Sequence, residues 1–216
     1  MFKKIKKAIS VFLQPKILKQ LLLMPTGGYL HDIGWFNSFK KQLPVDVSGN
    51  PLPWVTYGFI DFISGRLNKK LDVFEYGSGN STKWYAERVK TVTSVEHDMP
   101  WFNIVKDNMP ENVDLKYQEL IYEGDYSNYS NICDKKFDIV IVDGRDRVNC
   151  IKNSLSSLKR EGVIILDDSE RDDYLDALNY LDKNGFKKID FWGISPGLFY
   201  KKNTTIFYKE NNCLGI

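Results

Sequence analysis

The sequence predicts an α/β fold: a mostly parallel sheet, doubly wound with helices on both faces, closed by one antiparallel strand and preceded by a helical and loop extension. Three observations predict it. From residue 71 onward, short apolar runs alternate with segments of helical periodicity. Glycine, proline or a capping residue marks most changes of rhythm. The last two apolar runs are separated by only 11 residues, including Pro196-Gly197, too few for a helical crossover, so they should pair antiparallel. The chain has 216 residues, 43% hydrophobic and 27% charged, enough to bury its own core and unlike a disordered or fibrous composition.

At the start, Phe2, Ile5, Ile9 and Phe12 stand at helical spacing among lysines, and Pro15 stops the pattern. A second apolar group, 17–24, ends at Pro25 and Gly27-Gly28. Residues 1–24 hold six lysines and no acid, whereas the remainder holds 24 basic against 28 acidic residues, for an overall charge of +2. Two readings follow. The favoured one packs this segment on its own domain or on a second subunit, because amphipathic helices usually face a core. The other makes residues 1–24 a foot with weak contact to a membrane surface. Residues 25–55 are rich in turn formers yet carry Trp35, Phe36 and Trp54, as a functional loop or lid does. A short helix with Tyr57, Ile60, Ile63 and Leu67 on one face should follow. The expected division is an extension and lid over 1–70 and a main domain over 71–216.

Within that domain, 71–75 reads as a buried strand and 77–80 as a turn, with Ser81 or Thr82 capping a helix to about Val89. A second strand spans 92–96. Asp98 then caps a helix with Pro100 in its first turn and Trp101, Ile104 and Val105 inward. Strands follow at 113–117 and 137–142, the latter the most apolar and so central. Val148, Ile151, Leu155 and Leu158 predict a helix ended by Gly162, before a strand at 163–166. Tyr174, Ala177, Leu178 and Leu181 predict a helix stopped at Gly185, and strands at 188–192 and 204–208 complete seven.

Ligands of open α/β sheets bind beyond the carboxyl ends of the strands, where the strand order reverses. The first strand ends in Glu75-Tyr76-Gly77-Ser78-Gly79-Asn80-Ser81. Its glycines allow a tight turn and close backbone approach, and the helix behind offers free N–H groups. A dinucleotide fingerprint requires a third glycine where Thr82 stands, which argues against NAD and FAD. Instead an acid precedes the first glycine by two residues. Glu96 ends the second strand, 17 residues after Gly79, where a carboxylate can accept hydrogen bonds from both ribose hydroxyls. The alternative for Glu96 is a solvated strand end.

The run VFEYGSGNSTKWYAERVKTVTSVEHD resembles the first two strands of a class I S-adenosylmethionine-dependent methyltransferase, with Ser81 in place of that family's frequent third glycine. The resemblance spans about 71–216. It implies a Rossmann-like seven-stranded sheet ordered 3-2-1-4-5-7-6 and S-adenosylmethionine as cofactor. Gly77, Ser78 and Gly79 would lie under the amino-acid part of the ligand, and Tyr76, Asn80 and Ser81 would complete the cofactor-binding turn. Glu75 would orient that part through water or backbone. Glu96 would hold the ribose, His97 and Asp98 would flank the adenosine, and Asp143 and Gly144 would line the donor methyl and acceptor. PLPWVTY and SPGLFYKKNTTIFY are similar to small bacterial methyltransferase-like proteins, some linked to cell-surface polysaccharide synthesis. That likeness implies a lid over 25–57 bringing Trp54 and Tyr57 to the cofactor; alternatively Trp54 plugs the domain's edge.

Methyl transfer is an in-line displacement, for which a protein supplies orientation, a dry pocket and sometimes a base. Asp143 and the pair Asp167-Asp168 end two strands and should face one cleft, making Asp143 or Asp168 a candidate general base. The same acids offer oxygens to Mg²⁺, although such a site needs about six and no metal ligand is assigned. Arg145 is a candidate clamp for an anionic acceptor; it and Arg147 can equally pair with Asp143, Asp146 or Asp168. Two histidines, three cysteines without a CxxC, and no nucleophile elbow or P-loop leave metal-finger, disulfide, hydrolase and NTPase chemistry unsupported. No apolar run reaches the length of a membrane span, and no signal peptide is recognisable. The expectation is a cytoplasmic methyltransferase, at most peripheral at the inner membrane face, methylating oxygen on a small-molecule or saccharide acceptor. Nucleic acid is not expected, given the acidic body. A homo-oligomer stays open, and a catalytically inactive cofactor-binding scaffold is the alternative function.

Overall fold

A computed structural model describes residues 10–216. Phe2, Ile5 and Ile9 of the first predicted helix lie outside the described residues. The chain runs α1 (Pro15–Leu23), α2 (Tyr29–Asp32), α3 (Trp35–Lys41) and α4 (Tyr57–Ser64) into β1 (Asp72–Tyr76), α5 (Asn80–Ala86), β2 (Thr91–Glu96) and α6 (Met99–Val105). It continues through β3 (Val113–Tyr117), α7 (Asp125–Ile132), β4 (Phe137–Val142), α8 (Arg147–Ser154), β5 (Leu158–Asp167), α9 (Leu175–Lys183), β6 (Lys187–Gly193) and β7 (Lys202–Tyr208). The seven strands form one sheet ordered β3-β2-β1-β4-β5-β7-β6. Strands β1 to β5 pair parallel, and β7 runs antiparallel between β5 and β6. The predicted architecture is therefore the observed one. The order reverses between β1 and β4, whose carboxyl ends open the crevice in which the site lies.

Strand alternation assigns each side chain of β1 to a face. Val73 packs with Phe59, Ile63, Tyr85 and Ile139 on one side of the sheet. Phe74 and Tyr76 pack with Tyr126, Phe137, Ile151 and Leu181 on the other. Helix α4 shares the first of these cores, as do Trp35 and Val55, so the residues just before β1 are built into the body of the sheet.

The structure differs from the sequence reading in several elements, among them α2 and α3, two short helices inside the segment 25–55 read as a loop. Helix α8 stops at Ser154, and β5 already begins at Leu158, which pairs with Phe137 before the register shifts. Gly162 is thus an irregularity inside a strand, where a Cβ would come within 2.6 Å of the Leu158 side chain, and not a helix stop. Helix α7 is not anticipated by apolar periodicity, because its buried face is made of Tyr126, Ser127 and Ser130. Its partner is polar too: the Tyr76 hydroxyl donates to the Ser127 carbonyl and bonds Ser130 Oγ. Finally, α1 starts at Pro15, where the sequence reading placed a helix stop, and none of its residues is fully buried by the described part of the chain.

Candidate functional site

A cleft of about 620 Å³ opens beyond the ends of β1, β2 and β4, within the size range of small-molecule sites. Its floor is backbone. Gly77 has φ +96°, and a Cβ there would press on the Gly144 backbone at 3.4 Å. At Gly144 a Cβ would lie 2.0 Å from the Tyr126 hydroxyl. The ends of β1 and β4 therefore meet glycine to glycine, which keeps side chains out of the crevice.

Glu75 follows Val73 to the face of the sheet that α4 and α5 cover and lies beneath the start of α5, 1% exposed yet part of the cleft wall. It accepts a 2.5 Å hydrogen bond from Thr82 Oγ1, which itself accepts from the Gly79 N–H. Burial pushes its pKa up to about 7, against the hydrogen bonds from Ser81 and Thr82, with the Glu96 charge adding to the rise.

Glu96, at the end of β2, is held in place by this chain's own donors. Its Oε2 accepts from the Ser78 N–H (3.1 Å) and hydroxyl (2.9 Å), and its Oε1 from the His97 and Asp98 N–H groups. A carboxylate has about four such acceptor sites. Of the four donors only the Ser78 hydroxyl can rotate away, so a ribose hydroxyl would take its place. Asp98 caps α6 by accepting from the Trp101 N–H, as its spacing predicts. That cap aims Trp101 across the cleft, where its Nε1 donates to the Ser78 carbonyl. With Pro100 and Ile104 it makes an apolar wall. Periodicity assigned Trp101 and Ile104 to the core; they border the cleft because α6 leaves this flank uncovered.

A second cavity of about 400 Å³ adjoins the first, and the two share Trp54 and Asp143. Leu198, Tyr200, Lys202, Asp167 and Asp168 complete its lining. Trp54 is 39% exposed and anchored by its Nε1 on the Pro196 carbonyl at 2.8 Å. Lys202 is 4% exposed in its side chain and lies 2.5 Å from Asp167 and 2.7 Å from Asp168. Burial opposes its charge, but Asp167, Asp143 and Asp168 outweigh that and raise its pKa. Arg147 reaches Asp143 at 3.1 Å and Asp168 at 3.7 Å. Burial and the Asp167 charge push Asp143 upward, with Arg147 and Lys202 opposing. Burial also pushes Asp168 upward, but Lys202, Arg147 and Arg171 prevail and hold it below the usual range.

Several expected residues are placed otherwise. The Tyr76 side chain points into the far core, by strand alternation, and only its backbone belongs to the turn. Asn80 turns out of the cleft and donates to the Pro44 carbonyl, tying α5 to the N-terminal segment. Tyr57 is buried with Trp35 and Val55 and lines neither cavity, because it opens α4 and faces the core. Asp168 is committed to three cations, which leaves Asp143 as the acid at the junction of the two cavities. Arg145 stands exposed at the cleft rim and makes no ion pair among the described residues, whereas Arg147 takes the salt bridges. Mg²⁺ finds no support: Asp143, Asp167 and Asp168 already face Arg147 and Lys202. Among the described residues no group of three or more potential ligands could hold a metal. Sequence reasoning passed over Lys202, since 35 residues separate it from Asp167. A further hollow of about 670 Å³, around Leu155, Gly162 and Lys209, lies away from the glycine turn.

No protein-family model and no curated protein sequence matches the chain. Solved structures do. A precorrin-6y C5,15-methyltransferase from Geobacter metallireducens superposes with a TM-score of 0.54 at 17% identity, over 70% of this chain and 87% of that one. An rRNA methylase from Streptococcus thermophilus gives 0.53 at 19% identity, over 71% and 95%. This chain has the class I S-adenosylmethionine-dependent methyltransferase fold. A precorrin 8w decarboxylase from Methanobacterium thermoautotrophicum shares it, with a TM-score of 0.51 at 16% identity over 78% and 97%. At these identities the likeness establishes fold, and function rests on the site. No helix among the described residues is long and apolar enough to cross a membrane.

Proposed function

We propose that the chain is an S-adenosylmethionine-dependent methyltransferase that methylates a hydroxyl of a small, saccharide-like acceptor. The observation that carries this reading is the pair of cavities meeting at Asp143 and Trp54, one floored by Gly77 and Gly144, the other lined by Trp54 and Tyr200. The residues fit the cofactor. The glycine floor is a cradle that a Cβ would fill, and Glu75 and Glu96 offer carboxylates to an ammonium and a ribose at opposite ends of one turn. When bound, S-adenosylmethionine supplies an electrophilic methyl group on a sulfonium.

The chain's own residues do the rest. Ser78 and Gly79 present the turn, Trp101 covers it, and Glu96 accepts a hydrogen bond from a ribose hydroxyl. Trp54 and Tyr200 supply flat apolar faces of the kind that carry sugar rings. Asp143, the charged residue common to both cavities, accepts the acceptor's hydroxyl proton at its carboxylate. It faces one cation, Arg147, whereas Asp168 faces three, Lys202, Arg147 and Arg171, and is less free to take up a proton. The acidic balance of residues 25–216 favours a small acceptor over an RNA backbone.

The test is calorimetric titration with S-adenosylhomocysteine, then transfer of a labelled methyl group across hydroxylated saccharides, small phenols and RNA. Binding with transfer to a saccharide, lost in Asp143→Asn with cofactor affinity retained, is expected. Absence of cofactor binding refutes the assignment. Binding without transfer leaves the scaffold reading, and transfer to RNA alone replaces the acceptor class.

A further inference from the structure

The segment preceding α2 is not used by any chemistry described above, and its physical character is unusual. In α1, Ile17, Leu18, Leu21 and Leu22 fall on one arc at 100° per residue, and Lys16, Lys19 and Gln20 on the opposite one, where Leu23 interrupts them. Among the described residues, Ile17, Leu21 and Leu22 stand exposed and Leu18 is half-buried. Leu13 is 80% exposed, Phe12 70% and Leu22 69%, and no residue of α1 is buried. Soluble domains seldom leave such a contiguous apolar surface open without a use. The charge narrows what covers it. Six lysines and no acid occupy residues 1–24, and the first acid of the chain is Asp32. A second copy of the same arm would bring six more lysines against these, with no carboxylate to offset them.

We infer that residues 10–24 form an interfacial anchor for an anionic lipid surface, with Ile17, Leu21 and Leu22 entering the acyl boundary and Lys16 and Lys19 meeting the headgroups. Apolar burial and lysine attraction to anionic lipid add in such helices. The anchor lies close in the chain to the acceptor side of the molecule. About a dozen residues after Leu23, α3 begins, and its Phe39 ring packs on the exposed Phe199 ring at 5.3 Å. Phe199 belongs to the loop whose Leu198 and Tyr200 line the second cavity.

The experiment is co-sedimentation of the full-length protein with phosphatidylcholine vesicles, with and without about 30 mol% phosphatidylglycerol. No cofactor is present, so the outcome is independent of the methyltransferase reading. At least tenfold stronger partitioning onto the anionic vesicles is expected, abolished by Leu21→Glu/Leu22→Glu and weakened several-fold by Lys16→Gln/Lys19→Gln or by high salt. These side chains are exposed or half-buried, and an unchanged melting temperature of the variants separates lost anchoring from lost folding. No partitioning overturns the inference. So does partitioning that ignores lipid charge, or that survives the double glutamate variant. A concentration-dependent dimer abolished by the same variant, with vesicles left unbound, assigns the face to a second copy instead.

Discussion

Replacing Glu75 with glutamine should flatten the pH dependence of cofactor binding. Glu75 is almost fully buried under the start of α5, and burial moves its pKa from 4.5 to about 7. In the proposed complex it faces the ammonium of the cofactor's amino-acid part and must be ionised. At pH 6 the free protein carries Glu75 mostly neutral, so binding must first expel a proton. With a pKa near 7 the apparent Kd rises by about tenfold between pH 8 and pH 6. Glutamine at 75 keeps an acceptor for Thr82 and has no proton to lose, so that rise should vanish. The ligand's own amino group titrates near pH 8 in both experiments, and the ratio of wild type to variant cancels it.

Folding should carry the same signature with a definite sign. Because the folded pKa lies above the unfolded one, the native state binds more protons between pH 4.5 and 7. Stability then falls as pH rises through that window, by an amount on the order of 3 kcal/mol if the shift is fully expressed. Glu75→Gln should therefore gain stability relative to wild type at pH 8 and not at pH 4. Calorimetric titration at pH 6, 7 and 8, with urea unfolding at pH 4 and 8, measures both. A wild-type Kd constant within twofold over that range, or a variant with the wild-type slope, would refute the placement of a buried, titrating carboxylate beside the ligand's charge.

Lys202→Met should destabilise the protein by about 3–5 kcal/mol in urea unfolding, because it leaves Asp167 buried without its counterion; adding Asp167→Asn should restore much of the loss. Gly144→Ala should abolish cofactor binding, since a methyl group cannot stand 2.0 Å from the Tyr126 hydroxyl. Pairing it with Tyr126→Phe should recover part of the folding stability, read by thermal melting. Ser78→Ala should bind S-adenosylhomocysteine at least as tightly as wild type, because it frees a Glu96 lone pair for the ribose. A tenfold weaker Kd would instead make the hydroxyl itself a ligand contact.

Much of this architecture is local information. The runs 71–75, 92–96 and 137–142, the glycine turn after Glu75 and the cap at Asp98 are each decided within a few residues, by strand length, backbone freedom and an N-terminal hydrogen bond. With alternating strands and helices they determine a doubly wound sheet and place acids at its carboxyl ends. What the tertiary structure alone decided depends on groups far apart in the chain. Helix α7 is held by polar contacts to Tyr76 across 51 and 54 residues, which leave no periodic apolar signal. Leu158 obeys helical spacing but joins a strand because Phe137 pairs with it. Lys202 meets Asp167 only once β7 slots beside β5, and that pairing turns a presumed open acid cluster into a neutralised one. Helix α1 shows the converse. Its apolar group is legible in the sequence, but such a group states only that a face should be covered, and only the packed body reveals that none of the helix's residues is buried by the described part of the chain.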